Sequence, residues 1–464
     1  MIADLNPYAE YKASGLPWLG ELPAHWKTRR AKYFFREVDE RSQTGKEVLL
    51  SVSHLTGVTP RSEKTITMFL AKSNVGHKVC RPDDVVINTL WAWMAALGVT
   101  KHTGIVSPAY GVYRPLAGGG LVPQFANQLL RTPCYAAEYL RLSTGVNSSR
   151  MRLYPEQFLR IPLVCPPPGE QAAIVRFLNW ANGRLERAIR AKRKIIALLN
   201  EQKQAIIHRA VTRGLDPSVP LKPSGIPWLG DIPQHWKVWR LKSFAANVTD
   251  QTTSMSDDEV YIALENVESW TGLVKPQRRQ GEALFTGQVK RFQTNDVLFG
   301  KLRPYLAKAI TTSSQGVCVG EFFVLRANGS FVCPMFLEQL LRSKIVIDVI
   351  NSSTFGAKMP RVAWQFVGSL RIALPPVTEQ ETIIKSIRLA TQPLANAISR
   401  FEREIELLRE YRTRLIADVV TGKLDVREAA SRVPDEYESD TTAELAAEML
   451  DDSGNLDEIE VEEI

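Results

Sequence analysis

Two long stretches of the chain, residues 170–212 and 379–421, carry a seam of positions spaced alternately four and three residues apart, most of them apolar. This spacing is typical of a helix that packs lengthwise against another helix. The seam positions of the two stretches are related by 209 residues. They are Leu185, Ile189, Lys192, Ile196, Leu199, Lys203, Ile206 and Ala210 in the first stretch, and Leu394, Ile398, Phe401, Ile405, Leu408, Arg412, Leu415 and Val419 in the second.

Each stretch would be roughly 65 Å long as one straight helix. Pro393 is expected to kink or restart the second helix, because proline lacks the N–H that an interior helical residue donates. The length and the period predict that the two helices pair with each other. The alternative is that each is an ordinary surface helix packed on its own domain.

The region before each long helix has a shorter, strand-like pattern. In the first copy, residues 48–52, 84–87 and 110–113 are predicted strands, and residues 124–140 are predicted to be helical. Residues 296–299, 322–326 and 334–350 match the last three of these segments in the second copy. The sequence therefore predicts one mixed α/β domain built twice, with surfaces that differ between the copies.

A second repeat confirms the duplication at the level of the sequence. Residues 14–27 return as residues 224–237, and ten of the fourteen positions are identical, including two tryptophans. Proline and glycine make this motif a fixed loop rather than a helix. Its side chains are predicted to anchor the loop on a domain: Trp18, His25 and Trp26 in the first copy, and Trp228, His235 and Trp236 in the second.

Charge is distributed unevenly along the chain. The net charge is +8, but residues 435–464 contain thirteen acidic and no basic residues. The rest of the chain has 58 basic and 37 acidic residues, a net charge of +21. A body this basic favours a polyanionic partner, nucleic acid first, with simple solubility as the alternative. The acidic tail is predicted to be flexible.

Other features of the sequence indicate the cellular compartment and the functional class of the protein. Five scattered cysteines without zinc-binding spacing indicate reduced thiols, and no signal peptide or membrane-spanning run is visible, so a cytoplasmic protein is expected. The sequence lacks a phosphate loop, a dinucleotide fingerprint, the tetrapeptide of adenine methyltransferases and a metal motif. Asp83, Asp84 and Asp296 are unconvincing as nuclease carboxylates. Binding rather than catalysis is therefore predicted, with no cofactor on this chain.

The basic candidates for contacts with DNA lie beside the predicted strands and before the proline-rich helix starts. Arginine and lysine neutralise phosphates, and arginine can also read guanine with two hydrogen bonds. The candidates are Lys101, His102, Arg150 and Arg152 in the first copy, and Lys301, Arg303, Lys308, Lys358 and Arg361 in the second. Each taken alone is more often a solvated surface charge, so the prediction depends on their number.

The motifs together resemble the specificity (S) subunits of type I restriction-modification systems. The likeness is carried by the paired Ser-Gly-x-Pro-Trp-Leu-Gly-x-x-Pro-x-His-Trp openings and by Gly-Lys-Leu-Arg-Pro-Tyr at residues 300–305. The helix starts ending in Glu170-Gln171 and Glu379-Gln380, and the helix ends at residues 212–216 and 421–425, complete it. The first copy departs at residues 88–91, where the Lys-x-Arg-Pro step is missing.

This resemblance implies an α+β fold of two α/β target recognition domains, separated by two long helices that pair as an antiparallel coiled coil with pseudo-two-fold symmetry. The implied segments are residues 1–167 and 214–376 for the two domains, 168–213 and 377–425 for the helices, and 426–464 for the acidic tail. Each domain would read one half of a split target in double-stranded DNA. Two modification subunits would bring S-adenosylmethionine, and restriction subunits would add ATP-driven translocation and cleavage, with Mg also on partner subunits.

The S subunit of that family has no catalytic site, which agrees with the missing motifs. The alternative function is a two-domain scaffold that binds protein partners through its helices, without sequence-specific DNA binding. A fused restriction enzyme would need a methyltransferase or nuclease segment that the sequence does not contain.

Overall fold

The structure is a computed structural model that describes residues 5–63, 73–145, 151–256, 258–275 and 287–434. The predicted acidic tail from residue 435 lies outside the described residues. The described residues divide into two compact units: those up to residue 192 together with those from residue 403 onward form the first unit, and those from residue 193 to residue 402 form the second. Helices and strands are both abundant, so the predicted α+β class is confirmed.

The first copy of the duplicated region runs from the chain start through the first long helix. Its strands are β1 Tyr11–Ala13, β2 Glu21–Pro23, β3 Lys27–Arg30, β4 Phe35–Glu37, β5 Leu50–Ser53, β6 Gly57–Pro60, β7 Lys78–Cys80, β8 Val85–Ile87, β9 Leu97–Val99, β10 Gly104–Val106, β11 Gly111–Pro115 and β12 Pro162–Cys165. Its helices are α1 Pro123–Leu130, α2 Pro133–Leu142, α3 Pro155–Arg160 and the long α4 Pro168–Arg213.

The second copy repeats this order of elements. Its strands are β13 Leu221–Pro223, β14 Asp231–Pro233, β15 Lys237–Arg240, β16 Ala245–Val248, β17 Gln251–Thr252, β18 Val260–Ile262, β19 Val289–Phe292, β20 Val297–Gly300, β21 Ala309–Thr311, β22 Gly316–Val319, β23 Phe322–Ala327 and β24 Arg371–Leu374. Its helices are α5 Pro334–Arg342, α6 Lys344–Ser352, α7 Trp364–Ser369 and the long α8 Val377–Val420; a short helix, α9 Arg427–Ser431, follows.

A four-stranded antiparallel sheet lies at the centre of each copy. Its order is β4-β11-β8-β9 in the first copy and β16-β23-β20-β21 in the second. The central strands β8 and β20 are fully buried, which explains their continuous apolar sequence. The turn that follows β8 in the first copy and the turn that follows β20 in the second copy therefore leave equivalent strands of equivalent sheets.

Two helical details differ from the prediction. The single helix predicted over residues 124–140 is two helices, α1 and α2, because Pro133 begins a new helix after Arg131 and Thr132. The corresponding segment of the second copy is likewise split, at Ser343. Helix α8 continues through Pro393, so it does not restart there, and a kink at Pro393 stays a prediction. Leu389, whose carbonyl loses its partner, is 68% exposed, and water can satisfy it there.

The start of α4 is fixed by a buried carboxylate. One oxygen of Glu170 accepts hydrogen bonds from the Tyr8 hydroxyl at 2.5 Å and from the Trp26 indole Nε1 at 2.9 Å. Its other oxygen lies 2.8 Å from Nε2 of His25. The His-Trp pair of the opening motif thus holds the first turn of the long helix, so His25 has a structural role in these contacts.

The second copy makes the same contact with a more exposed carboxylate. Trp236 Nε1 donates to Glu379 at 3.0 Å, and Nε2 of His235 lies 2.7 Å from the other oxygen. The side chain of Glu379 is 28% exposed, compared with 5% for Glu170. The second copy has no equivalent of Tyr8, because Ser218 stands at that position of the repeat.

The glutamine after each of these glutamates fixes a neighbouring loop. Gln171 accepts from the backbone N–H of Val122 at 2.7 Å and donates to the carbonyl of Gly120 at 2.8 Å. Gln380 accepts from the backbone N–H of Cys333 at 2.8 Å. Both side chains are fully buried, so their hydrogen bonds satisfy amide groups that would otherwise be costly to bury. The Glu-Gln pair therefore ties each long helix to its own copy of the domain.

The end of α8 returns to the opening motif of the first unit. Gly422 has a φ of +82°, and a Cβ there would lie 2.4 Å from Pro23 and 3.0 Å from Trp26. Only glycine fits this close approach. Just beyond it, the N–H of Asp425 donates to the carbonyl of Asn6 at 2.8 Å. Trp26 therefore contacts the start of one long helix and the end of the other.

The two long helices also contact each other within the first unit. Lys192 of α4 donates to Glu404 of α8 at 2.5 Å, and Arg412 of α8 pairs with Glu186 of α4. The higher-numbered residue of one helix pairs with the lower-numbered residue of the other, so the helices are antiparallel here. None of the predicted seam positions is classed as exposed, whereas Leu198, off the seam, is 55% exposed. Pairing along the full length stays a prediction.

No helix within the described ranges is long and apolar enough to cross a membrane. All five cysteines are free thiols. Burial raises the pKa of Cys80 and of Cys318 to about 12, so neither is a reactive thiolate at neutral pH.

The buried carboxylate yields a stability prediction. Replacing Glu170 with alanine leaves the Trp26 indole and the Tyr8 hydroxyl without an acceptor, at about 1–3 kcal/mol for each buried donor. We expect Glu170→Ala to lower the midpoint of urea unfolding clearly, and Glu379→Ala to lower it less because its carboxylate is partly hydrated. Glu156→Ala, at an exposed position of α3, is the matched control. Equal midpoints for Glu170→Ala and Glu156→Ala would contradict this account.

Candidate nucleic-acid interface

Three segments meet beside the end of β20 in the second unit. The backbone N–H of Lys301 donates to the carbonyl of Glu321 at 2.9 Å, and the Lys301 carbonyl accepts from Val362 at 3.0 Å. The N–H of Arg303 donates to the carbonyl of Pro360 at 2.7 Å. These bonds fix the backbone of the turn on both sides, with Arg303 in the left-handed region at φ 48°.

The backbone bonds bring four of the predicted DNA-contacting residues together. Lys301 and Arg303 leave the turn after β20, and Lys358 and Arg361 come from the segment before α7. Lys358 is exposed, and the other three are partly exposed. Four cations on adjacent backbone segments form a compact basic surface, which we call the second basic cluster. Such a surface suits an anionic backbone.

Glu321 lies within this cluster and pairs with Arg361. The Nε and Nη2 atoms of Arg361 each donate to one carboxylate oxygen at 3.2 Å. The contact raises the pKa of Arg361. The side chains remain 41% and 30% exposed, so the pair is accessible to a ligand.

Lys308 is placed differently from the other candidates. Its Nζ donates to the backbone carbonyl of Leu264 at 2.7 Å, and burial lowers its pKa. Lys290, which the sequence did not single out, is similar: it is buried and donates to the carbonyl of Phe322 at 2.7 Å. Lys308 thus binds the segment at Leu264, and Lys290 binds the first residue of strand β23, so both ammonium groups are already engaged by the protein.

The first unit repeats one of these three backbone bonds, with different side chains. The N–H of Leu153 donates to the carbonyl of Thr89 at 3.0 Å, as Val362 donates to Lys301. Thr89 and Trp91 therefore occupy the places of Lys301 and Arg303, and Arg152 occupies the place of Arg361. Arg152 is exposed. Arg150 lies outside the described residues.

Aromatic rings take the place of the missing cations in the first unit. Trp91 is 38% exposed and stacks on Trp93, with ring centroids 6.1 Å apart and planes inclined by 18°. Tyr154, two residues after Arg152, is 51% exposed. Exposed aromatic faces can stack on unpaired bases. The signal was present in the sequence as Trp91-Ala-Trp93, at the point where the Lys-x-Arg-Pro step is missing.

Lys101 and His102 lie apart from Arg152. They follow β9, next to the start of β8, whereas Thr89 and its contacts follow the end of β8. Both residues are exposed. The first-copy candidates therefore form no single cluster within the described residues.

The acidic residues that could suggest a nuclease serve the sheet instead. Asp84 is buried and accepts two hydrogen bonds at 3.0 Å from Arg114 of the adjacent strand β11. Asp296 and Arg326 repeat this pair in the second copy, at 2.9 Å and 2.8 Å. No group of three or more potential metal ligands occurs in the described parts of the chain.

The fold is similar to that of a protein of known structure. A chain from a solved structure, described as the structural basis of complex assembly and conformational transition of the type I R-M system, matches with a TM-score of 0.59 and 16% identity. The match covers 87% of this chain and 99% of that chain. It shows a shared fold. No protein-family model matches the chain.

Two curated relatives agree in their description. The type I restriction enzyme EcoDI specificity subunit of Escherichia coli is 21% identical over 244 residues, 49% of this chain and 54% of the relative. The putative type I restriction enzyme MjaX specificity subunit of Methanocaldococcus jannaschii is 22% identical over 291 residues, 61% of this chain and 63% of the relative. The chain thus spans somewhat over half the length of these relatives. The resemblance to type I specificity subunits that the motifs indicated is confirmed.

Proposed function

We propose that this chain is the DNA-recognition subunit of a type I restriction-modification complex. Each copy of the α/β domain reads one half of a split target in double-stranded DNA. The observation that carries the proposal is one scaffold built twice with different side chains at the same place: Lys301 and Arg303 in one copy, the buried Thr89 and the exposed Trp91 in the other. A protein that reads two different half-sites needs this combination of a fixed frame and a variable surface.

The subunit itself is proposed to be non-catalytic. Its histidines at the domain–helix junctions and its buried aspartates are engaged in structural contacts. Modification subunits would carry S-adenosylmethionine, and restriction subunits would carry ATP and Mg. The complex would work in the cytoplasm, where its DNA substrate lies.

The long helices are proposed to pair along their whole length as an antiparallel coiled coil with pseudo-two-fold symmetry. Their roles would be to set the distance between the two DNA-reading domains and to dock two modification subunits. Within the first unit, the ion pairs of Lys192 and Arg412 support the pairing. Leu407 and Tyr411 of α8 are 47% and 41% exposed, and large apolar side chains at a surface favour a protein partner there.

The central experiment is methylome sequencing of cells that express a modification subunit with and without this chain. We expect one bipartite methylated motif that requires the chain. Replacing residues 241–373 with the corresponding region of another specificity subunit should change one half of the motif and leave the other half and the spacer unchanged. The reciprocal replacement of residues 30–163 is the matched control and should change the opposite half. A swap that altered both halves would contradict one-domain-per-half-site reading.

Salt dependence separates DNA recognition from the alternative of a protein-binding scaffold. We expect the DNA affinity of the complex to fall steeply with salt, and Lys358→Gln to reduce the log–log slope by about 0.9, the contribution of one phosphate contact. Lys308→Gln should leave the slope unchanged, because its ammonium group binds the carbonyl of Leu264. Equal changes of slope for the two variants would mean that the structure assigns these lysines wrongly. A salt-independent affinity would favour the scaffold.

Helix length provides a test of spacing. Inserting four residues after Leu199, inside α4, adds about 6 Å and close to one helical turn. One base pair occupies about 3.4 Å, so the unspecified spacer of the methylated motif should lengthen by roughly one or two base pairs. The same insertion after Gly118, in an exposed loop, should leave the spacer unchanged. An active helix variant with the original spacer would show that α4 does not set the distance.

A further inference from the structure

We propose that Arg361 reads a base pair of the half-site bound by the second unit, and that Glu321 is the positioning residue that orients its guanidinium group. The inference depends on the proposed DNA-reading function and specifies which side chain supplies sequence information. The remaining cations of the second basic cluster, Lys301, Arg303 and Lys358, would contact phosphates.

The geometry of the ion pair leaves one edge of the Arg361 guanidinium group free to donate hydrogen bonds to DNA. Arginine has five N–H donors, and Arg361 directs one from Nε and one from Nη2 to Glu321. The edge formed by Nη1 and the second hydrogen of Nη2 remains. This edge presents two parallel donors, which match the N7 and O6 acceptors of guanine in the major groove. Glu321 therefore occupies the side of the arginine and leaves the end that can recognise guanine.

The backbone of Arg361 is held more firmly than that of an ordinary loop residue. Its N–H and C=O both bond to Phe355, each at 2.9 Å, and it also pairs with Leu302 across a bridge. The carbonyl of Glu321 is itself bonded to the N–H of Lys301. The backbone of both Arg361 and Glu321 is thus fixed by hydrogen bonds at the same turn. A preorganised donor loses less conformational entropy on binding and discriminates better between bases.

The other cations of the cluster are not oriented in this way. Lys301, Arg303 and Lys358 form no side-chain hydrogen bond or ion pair with any residue that the structure describes. Flexible cations are suited to phosphates, which lie along the duplex regardless of sequence. The cluster therefore combines one oriented arginine with three cations that supply affinity.

The first unit supplies a natural comparison. Arg152 holds the equivalent backbone place, but Ala109 stands where Glu321 stands in the second copy. No described carboxylate orients Arg152, which is exposed. Arg152 would thus behave as a phosphate contact, and its replacement by lysine should leave the motif unaltered.

The test uses the assembled complex with its modification subunits and compares Arg361→Lys, Glu321→Gln, Lys358→Gln and Arg152→Lys. Methylome sequencing gives the motif, and binding to oligonucleotides substituted at single positions gives the discrimination between bases. We expect Arg361→Lys and Glu321→Gln to reduce discrimination about tenfold to a hundredfold at one and the same position of one half-site. The charge-conserving Arg361→Lys should keep the salt slope of the wild type. Lys358→Gln should weaken all sequences alike, and Arg152→Lys should change no position.

An unchanged methylated motif in folded Arg361→Lys would overturn the proposal. It would also be overturned if Arg361→Lys lost base discrimination at one position while Glu321→Gln kept full discrimination there. Circular dichroism and the urea midpoint establish that each variant is folded, and Glu321→Gln keeps the size of the side chain. Failure of the broader function gives a different result: the wild-type complex would then show no bipartite motif. The two failures are therefore distinguishable.

Discussion

The anchoring of each long helix by a glutamate at its first turn is the contact on which the rest of the structure depends. Trp26 and His25 of the opening motif hold Glu170, and Trp236 and His235 hold Glu379. Without a partner, a buried carboxylate would cost several kcal/mol. Since the donors come from the opening motif, residues about 144 positions apart become inseparable. This explains why the two best repeated motifs of the sequence are the opening loop and the helix start.

A scaffold fixed in this way can tolerate variation at its turns. The backbone bond between Val362 and Lys301 recurs between Leu153 and Thr89, although no side chain is shared between these pairs. The bond is made by main-chain atoms and so places no demand on the side chains. The binding chemistry can then change without loss of the frame, which is what the proposed reading of two different half-sites requires.

The sequence predicted periodic and repeated features well and long-range polar contacts poorly. The strand pattern predicted β8 and β20 within a residue, because a fully buried strand has a continuous apolar signature. The breaks between α1 and α2 and between α5 and α6 were missed, since the apolar pattern continues through Pro133 and Ser343. Lys308 looked like its basic neighbours, yet it donates to a carbonyl 44 residues away. Such a pairing leaves no trace in local sequence, and neither does that of Glu321 with Arg361.

The two units also differ in the physical origin of the contacts that they can make. The second basic cluster offers Coulombic attraction, which a salt solution screens within about 10 Å at 0.1 M. Thr89 and Trp91 offer no charge at the same place in the first unit, and the stacked Trp91 and Trp93 offer apolar and aromatic surface instead. Aromatic and apolar contacts are nearly independent of salt and require close fit to the bases. If both units bind DNA as proposed, rising ionic strength would weaken the contacts of the second basic cluster more than those of Trp91 and Trp93.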